Sequence, residues 1–126
     1  MPMTSGSTMA LVAHDGMKNL LIDWSKRNKA ALEPLTLFAT GTTGGRLTDE
    51  VGLTLTALKS GPKGGDAQLG AMIAEGRLDA LVFFIDPLSA LPHDVDVKSL
   101  LRLAILYDTQ LAVNESTANA VLANIR

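Results

Sequence analysis

Ser-Gly-Pro-Lys-Gly-Gly-Asp, running from Ser60 to Asp66, ends a glycine-rich turn on a carboxylate, between a segment patterned as a strand and one patterned as a helix. A turn of this composition lets backbone amides approach an anion closely while an acid stands beside it. A second turn of the same kind, Ala39 to Gly45, contributes the hydroxyls of Thr40, Thr42 and Thr43 around Gly41 and Gly44. Both histidines, His14 and His93, are followed directly by aspartate. Hydroxyl and amide donors suit phosphate oxygens, and a carboxylate held on a short stem in a turn reaches a substrate proton at little entropic cost. The combination points to acid-base chemistry on a phosphorylated small molecule, with Asp66 as the base.

Each of these residues also has a plainer role. Asp66 can cap the helix that follows it, Lys18 can be a solvated surface lysine instead of a partner for the anion, and Ser60 and Gly61 can simply make a turn. Asp15, Asp86, Asp94 and Asp96 are crowded toward the same edge, and like charges so placed push some carboxyl groups upward in pKa. His93, after Pro92 and before Asp94 and Asp96, fits an imidazole aimed by carboxylates. No HxH, HxxxH or HExxH spacing supports a metal site, and neither a nucleophile elbow nor a complete phosphate-loop or dinucleotide fingerprint is present.

The elements that must position these residues follow from periodicity. Met9 to Ala13 reads as a strand, Met17, Leu20, Leu21 and Trp24 as a helix reaching Leu32, with Asp15 placed to cap it. Leu35 to Thr40 reads as a second strand, Leu47 and Val51 mark a short helix closed by Gly52, and Leu53 to Leu58 reads as a third strand. Leu69, Met72 and Ile73 define a helix ended by Gly76. Ala80 to Ile85 is a continuous apolar run of the kind a strand covered on both faces requires. A helix through Val97, Leu100, Leu101 and Ala104 follows, with Asp94 as its N-cap, then a strand at Leu111 to Val113 and a helix from about Ser116. Five βα units in succession predict a single-domain α/β fold: a doubly wound, Rossmann-like, five-stranded and mainly parallel sheet with helices on both faces. In such sheets ligands bind at the carboxyl ends of the strands. Here the loops after all five strands, the last through Asn114, are expected to converge on one edge.

A chain of 126 residues fits one domain and one core. Residues 1–8 are expected to be a disordered leader and 9–126 the domain. Charged residues are 19% and apolar residues 47% of the chain, against a usual charged share of about 25%, so the surface has too few charges for an isolated globule and oligomer contacts are expected. The net charge is −2, with no basic run, which argues against nucleic-acid binding. Absence of cysteine excludes disulfides and thiolate chemistry. The apolar runs fall well short of the ~20 residues of a membrane span, and the leader has neither the charged start nor the apolar centre of a signal peptide. A cytoplasmic protein with no membrane partner is the expectation.

Taken together, Leu-Val-Ala-His-Asp with Lys18, Ala-Thr-Gly-Thr-Thr-Gly, Ser-Gly-Pro-Lys-Gly-Gly-Asp, Phe-Phe-Ile-Asp-Pro-Leu and Leu-Pro-His-Asp-Val-Asp-Val-Lys resemble the methylglyoxal synthase family, in family order and spacing from about Met9 to Ala118. The resemblance implies conversion of dihydroxyacetone phosphate to methylglyoxal and inorganic phosphate through an enediolate, without cofactor or metal, with phosphate as an inhibitor. It implies Asp66 as catalytic acid-base, His93 as an aid to proton movement and a substrate contact, and Asp15, Asp86 and Asp96 as acidic positions of the active site. His14, Lys18, Thr40, Gly41, Thr42, Thr43, Ser60 and Gly61 match substrate-binding positions. It further implies a homohexamer. Phosphate-binding regulatory modules share this fold but generally lack the full His and Asp set, and they form the alternative, a binding module without catalysis. Many relatives continue past the position of Arg126 with a tail that supplies a basic residue, in some cases toward a neighbour's phosphate site; this departure bears on subunit communication and affinity more than on the chemistry.

Overall fold

Alternation of apolar side chains along the strands dictates the layering of this chain. A computed structural model describes residues 7–89 and 94–124, the side chains of 94–96 excepted. Five strands, β1 (Thr8–Ala13), β2 (Thr36–Thr40), β3 (Thr56–Leu58), β4 (Ala80–Phe84) and β5 (Gln110–Ala112), form one sheet in the order β3-β2-β1-β4-β5. Every pairing is parallel. The expected doubly wound α/β sheet is therefore present. Its strand order turns back between β1 and β4, so the loops that leave these two neighbours diverge and open a crevice at their carboxyl ends.

Because successive strand residues face opposite ways, β1 feeds two cores. Met9, Leu11 and Ala13 pack on one face with α1 (Lys18–Arg27), α2 (Lys29–Leu32) and α6 (Glu115–Leu122). Ala10 and Val12 pack on the other with α4 (Gly65–Ala74) and α5 (Asp94–Leu106). β4 is buried along its whole length, as a strand covered on both faces must be. On the first face Trp24 is fully buried, meets Phe84 edge-on at 6.0 Å and donates its indole N–H to Asn119 Oδ1 at 2.8 Å. The large ring drives burial while its one polar atom is satisfied, which ties α1 to α6.

Several boundaries differ from expectation, each for a local reason. The helix predicted through Leu32 breaks at Asn28, whose side-chain amide donates to the Trp24 carbonyl at 2.8 Å and ends α1. The Thr-Gly segment, expected as a glycine turn leading into a short helix at Leu47 and Val51, is itself helical as α3 (Gly41–Arg46), continued by a π-type turn at Leu47–Val51. This helical stretch ends as predicted at Gly52, which has φ 82°. Within it Arg46 Nε lies 2.6 Å from Glu50 Oε2, and that hydrogen bond holds the Glu50 carboxyl below its usual range. The third strand is shorter than predicted, because the Leu53 amide donates back to the Leu47 carbonyl, closing the helix instead of joining the sheet. β1 starts at Thr8, and the Ser7 carbonyl accepts from Thr36, so the sheet takes in two residues of the expected leader; the others lie outside the described residues. The N-cap of the Asp15–Met17 turn is His14 and Asp15 is the first residue within it, and α6 starts at Glu115, capped by Asn114, whose side chain accepts from the Thr117 amide at 3.0 Å. Asp94 is the first residue of α5, and its expected capping side chain lies outside the described residues.

Candidate active site

Three loops that leave β1, β2 and β3 enclose a cavity of about 300 Å³ at the carboxyl edge of the sheet. His14, Asp15 and Lys18 come from the first loop, Thr40, Gly41, Thr42 and Thr43 from the second, and Ser60, Gly61 and Asp66 from the third. All eight predicted substrate-binding residues inside the described chain thus share one cavity with the predicted base. His93 and the side chain of Asp96 lie outside the described residues. Asn114 does not line the cavity; its side chain is engaged in capping α6, so the fifth loop does not take part as expected.

The second and third loops press together where glycine permits it. Gly41 has φ 50°, and a Cβ there would stand 3.1 Å from the Ser60 Cα, so the start of α3 lies directly against the Ser60 turn. Gly41, Thr42 and Thr43, the first residues of α3, line the cavity, and the start of a helix favours an anion. Thr43 and Thr40 are buried, with 2% and 6% of their surface exposed, so their hydroxyls sit in the wall instead of in bulk water.

Lys18 crosses from the first loop to the second. Its Nζ lies 2.7 Å from Thr42 Oγ1 and 2.9 Å from Asp15 Oδ1. Four-fifths of the Lys18 side chain is covered while Asp15 is almost fully exposed, so the pair is closer to a one-sided anchor than to a buried ion pair, and its strength is modest. What it achieves is geometric: a single positive charge is fixed over the threonine loop.

Asp66 stands at the second position of α4, two residues past its N-cap Gly64, and so is not itself the N-cap residue. Its carboxylate turns back over the preceding loop, with oxygens 3.0 and 3.2 Å from the place a Cβ on Gly61 would take. The loop itself is closed by two bonds to the Ser60 carbonyl, from Lys63 at 3.0 Å and Gly65 at 2.9 Å, and by the Gln68 side chain, which accepts from the Lys59 amide at 2.9 Å. A carboxylate so held has a defined direction with few rotamers to lose.

Asp86 is placed beside the cavity and does not line it. The Asp86 backbone amide donates to Nδ1 of the buried His14 at 3.0 Å, and the His14 amide donates to the Phe84 carbonyl at 3.2 Å. An imidazole nitrogen that accepts from an amide carries no proton, so His14 is held as the neutral tautomer with its proton on Nε2. Phe83 packs edge-on against the imidazole at 5.1 Å. Sequence reasoning missed Val12, Ala13, Pro62 and Phe83 as cavity walls. For Phe83 the available signal was its position, one residue from the end of a strand beside the switch point. Among the described residues no cluster of three potential metal ligands occurs, and no helix is long and apolar enough to cross a membrane.

The fold is shared with known proteins. The sequence model of the MGS-like domain matches residues 20–113. The methylglyoxal synthase of Rhizobium rhizogenes is 52% identical over 124 residues, covering 98% of each chain. That of Oleidesulfovibrio alaskensis is 56% identical over 117 residues, covering 92% of this chain and 80% of its own. The crystal structure of methylglyoxal synthase from Elizabethkingia anophelis superposes with a TM-score of 0.90 at 41% identity, covering 98% of this chain and 81% of that one. With a sheet of the same topology, a family match across most of its length and relatives at half identity or more, the chain belongs to the methylglyoxal synthase family.

Proposed function

We propose that the chain converts dihydroxyacetone phosphate to methylglyoxal and inorganic phosphate. The observation that carries this reading is the meeting in one cavity of a carboxylate fixed against the Ser60–Gly61 turn and a lysine fixed over the threonine loop. In this reading the phosphate of the substrate takes the Lys18, Thr42 and α3 amide side. Asp66 removes a proton from the hydroxymethyl carbon, which leaves an enediolate. The hydroxyl on the deprotonated carbon then gives up its proton and becomes the aldehyde carbonyl, the carbon–carbon double bond shifts to the phosphate-bearing carbon as its bond to phosphate breaks, and the enol that remains, protonated on the central oxygen, tautomerises to methylglyoxal. Expulsion requires the carbon–oxygen bond to phosphate to lie perpendicular to the enediolate plane, where it overlaps the π system. His14 and His93 attend the oxygen atoms, and the acidic residues Asp15, Asp86 and Asp96 surround the site.

The same reading includes inhibition by inorganic phosphate, a cytoplasmic location and a homohexamer. The exposed Ile105, Leu106 and Tyr107 at the end of α5, with 75%, 69% and 50% of their surface open, support assembly. The deciding experiment supplies dihydroxyacetone phosphate to the purified chain and follows both products. Equal release of methylglyoxal and phosphate is expected. Binding without turnover would leave a regulatory module, and glyceraldehyde phosphate as main product would mean an isomerase.

Thr42→Val is expected to weaken inorganic phosphate binding by about ten- to a hundredfold, because a hydroxyl partner of the anion and of Lys18 is lost together. Titration calorimetry with inorganic phosphate checks this. Unchanged affinity would move the anion site away from this loop.

A further inference from the structure

We propose that Gly16 is a positioning residue for His14 and acts through Asp86. The inference deepens the proposed function, since it rests on His14 being a substrate-binding group. Gly16 lies in an exposed 3-10 turn, Asp15–Met17, and is not among the glycines with positive φ. Neither backbone conformation nor burial calls for glycine here. The space beside its Cα is taken by the Asp86 carboxylate: a Cβ on Gly16 would stand 2.7 Å from Oδ2 and 3.7 Å from Cγ.

That carboxylate is tethered. Its Oδ1 accepts from the Leu88 amide at 3.0 Å, an Asx-turn that fixes the chain leaving β4. The same residue's amide is the donor that holds His14 Nδ1 at 3.0 Å. An added methyl at position 16 has two outlets. Either the carboxylate swings away and the bond to Leu88 is lost, or the segment moves as a unit and draws the amide from the imidazole. In the second case Nδ1 loses the donor that forbids it a proton; in the first the segment that carries this amide loses its tether to Leu88 and holds the imidazole less firmly, so the neutral Nε2–H tautomer is less strictly enforced. The bare Cα of Gly16 thus seats the turn that sets which nitrogen of His14 carries the proton.

The test uses the full chain labelled with 15N-histidine, with ring signals assigned by their loss in His14→Gln. In the unaltered protein the His14 signals should be those of an Nε2-protonated neutral ring. Gly16→Ala should populate other ring forms and lower kcat/KM by about tenfold, as expected for sub-ångström misplacement, with the same division between kcat and KM as His14→Gln. The loss should be absent when Gly16→Ala is added to Asp86→Ala, because the clashing carboxylate is gone. Unchanged His14 signals in Gly16→Ala, or losses from the two substitutions that multiply, would overturn the proposal. If Gly16→Ala alone fails to fold, recovery of the fold in the Asp86→Ala background supports the contact, and failure there too overturns it. The ring signals are read without turnover, so an inactive parent protein would sink the proposed reaction without deciding this point.

Discussion

Asp66→Asn should fold normally and turn over dihydroxyacetone phosphate roughly a hundred- to ten-thousandfold more slowly, the usual cost of losing a general base. The asparagine keeps the shape of the side chain against Gly61 and leaves the cap of α4 untouched, because Gly64 fills that position. The lost negative charge in the first turn of α4 costs about 0.3–1 kcal/mol. Thermal melts of the two proteins should therefore nearly coincide. Phosphate affinity should be equal or higher, since a negative neighbour of the anion has been neutralised. This pattern separates a base from a binding group, whose loss would weaken the anion as well. Turnover near that of the parent would transfer the role to Asp15 or Asp96.

Much of this arrangement was legible before any coordinates. Val82, Phe83 and Phe84 belong to an apolar run with no polar face, and a strand buried on both sides has no other way to be written. Once β4 and β1 are strands and helices intervene, parallel pairing and the placement of His14, Thr40 and Ser60 at one edge follow from the handedness of the connections. The helix at Gly41–Arg46 was not legible, because glycine and threonine are poor helix formers and only tertiary contact decides otherwise. Thr43, Gly44 and Leu47 are buried there, and the packing outweighs the propensity.

The link between Asp86 and His14 was equally hidden. Its donor is a backbone amide 72 positions away, and a backbone group leaves no mark in residue type. Asn114 misled in the opposite sense: a polar residue at the end of a strand was read as part of the site, whereas its short amide side chain caps α6. The loops that hold the cavity differ from it in that their glycines are required by close approach.

Gly65→Ala is the substitution expected to damage both fold and function. Gly65 is buried, and a Cβ there would stand 2.0 Å from the Lys59 carbonyl oxygen and 3.0 Å from two backbone carbons, of Lys59 and Ser60. No side-chain rotation relieves a collision with backbone, so the turn from Lys59 to Gly65 must open. Opening it strains the bonds that Gly65 and Lys63 make to the Ser60 carbonyl and the one from Lys59 to Gln68. Overpacking of this kind costs about 1–3 kcal/mol, which a thermal melt would show as a clear drop. The functional loss should exceed what the stability loss explains, because Ser60, Gly61 and Asp66 ride on the same turn and the carboxylate would shift by a sizeable fraction of an ångström. Misplacement on that scale costs roughly ten- to a hundredfold in rate. Activity measured well below the melting temperature distinguishes the two effects. A folded Gly65→Ala protein with parental kcat/KM would show that the turn tolerates opening and that Asp66 is not aimed by it.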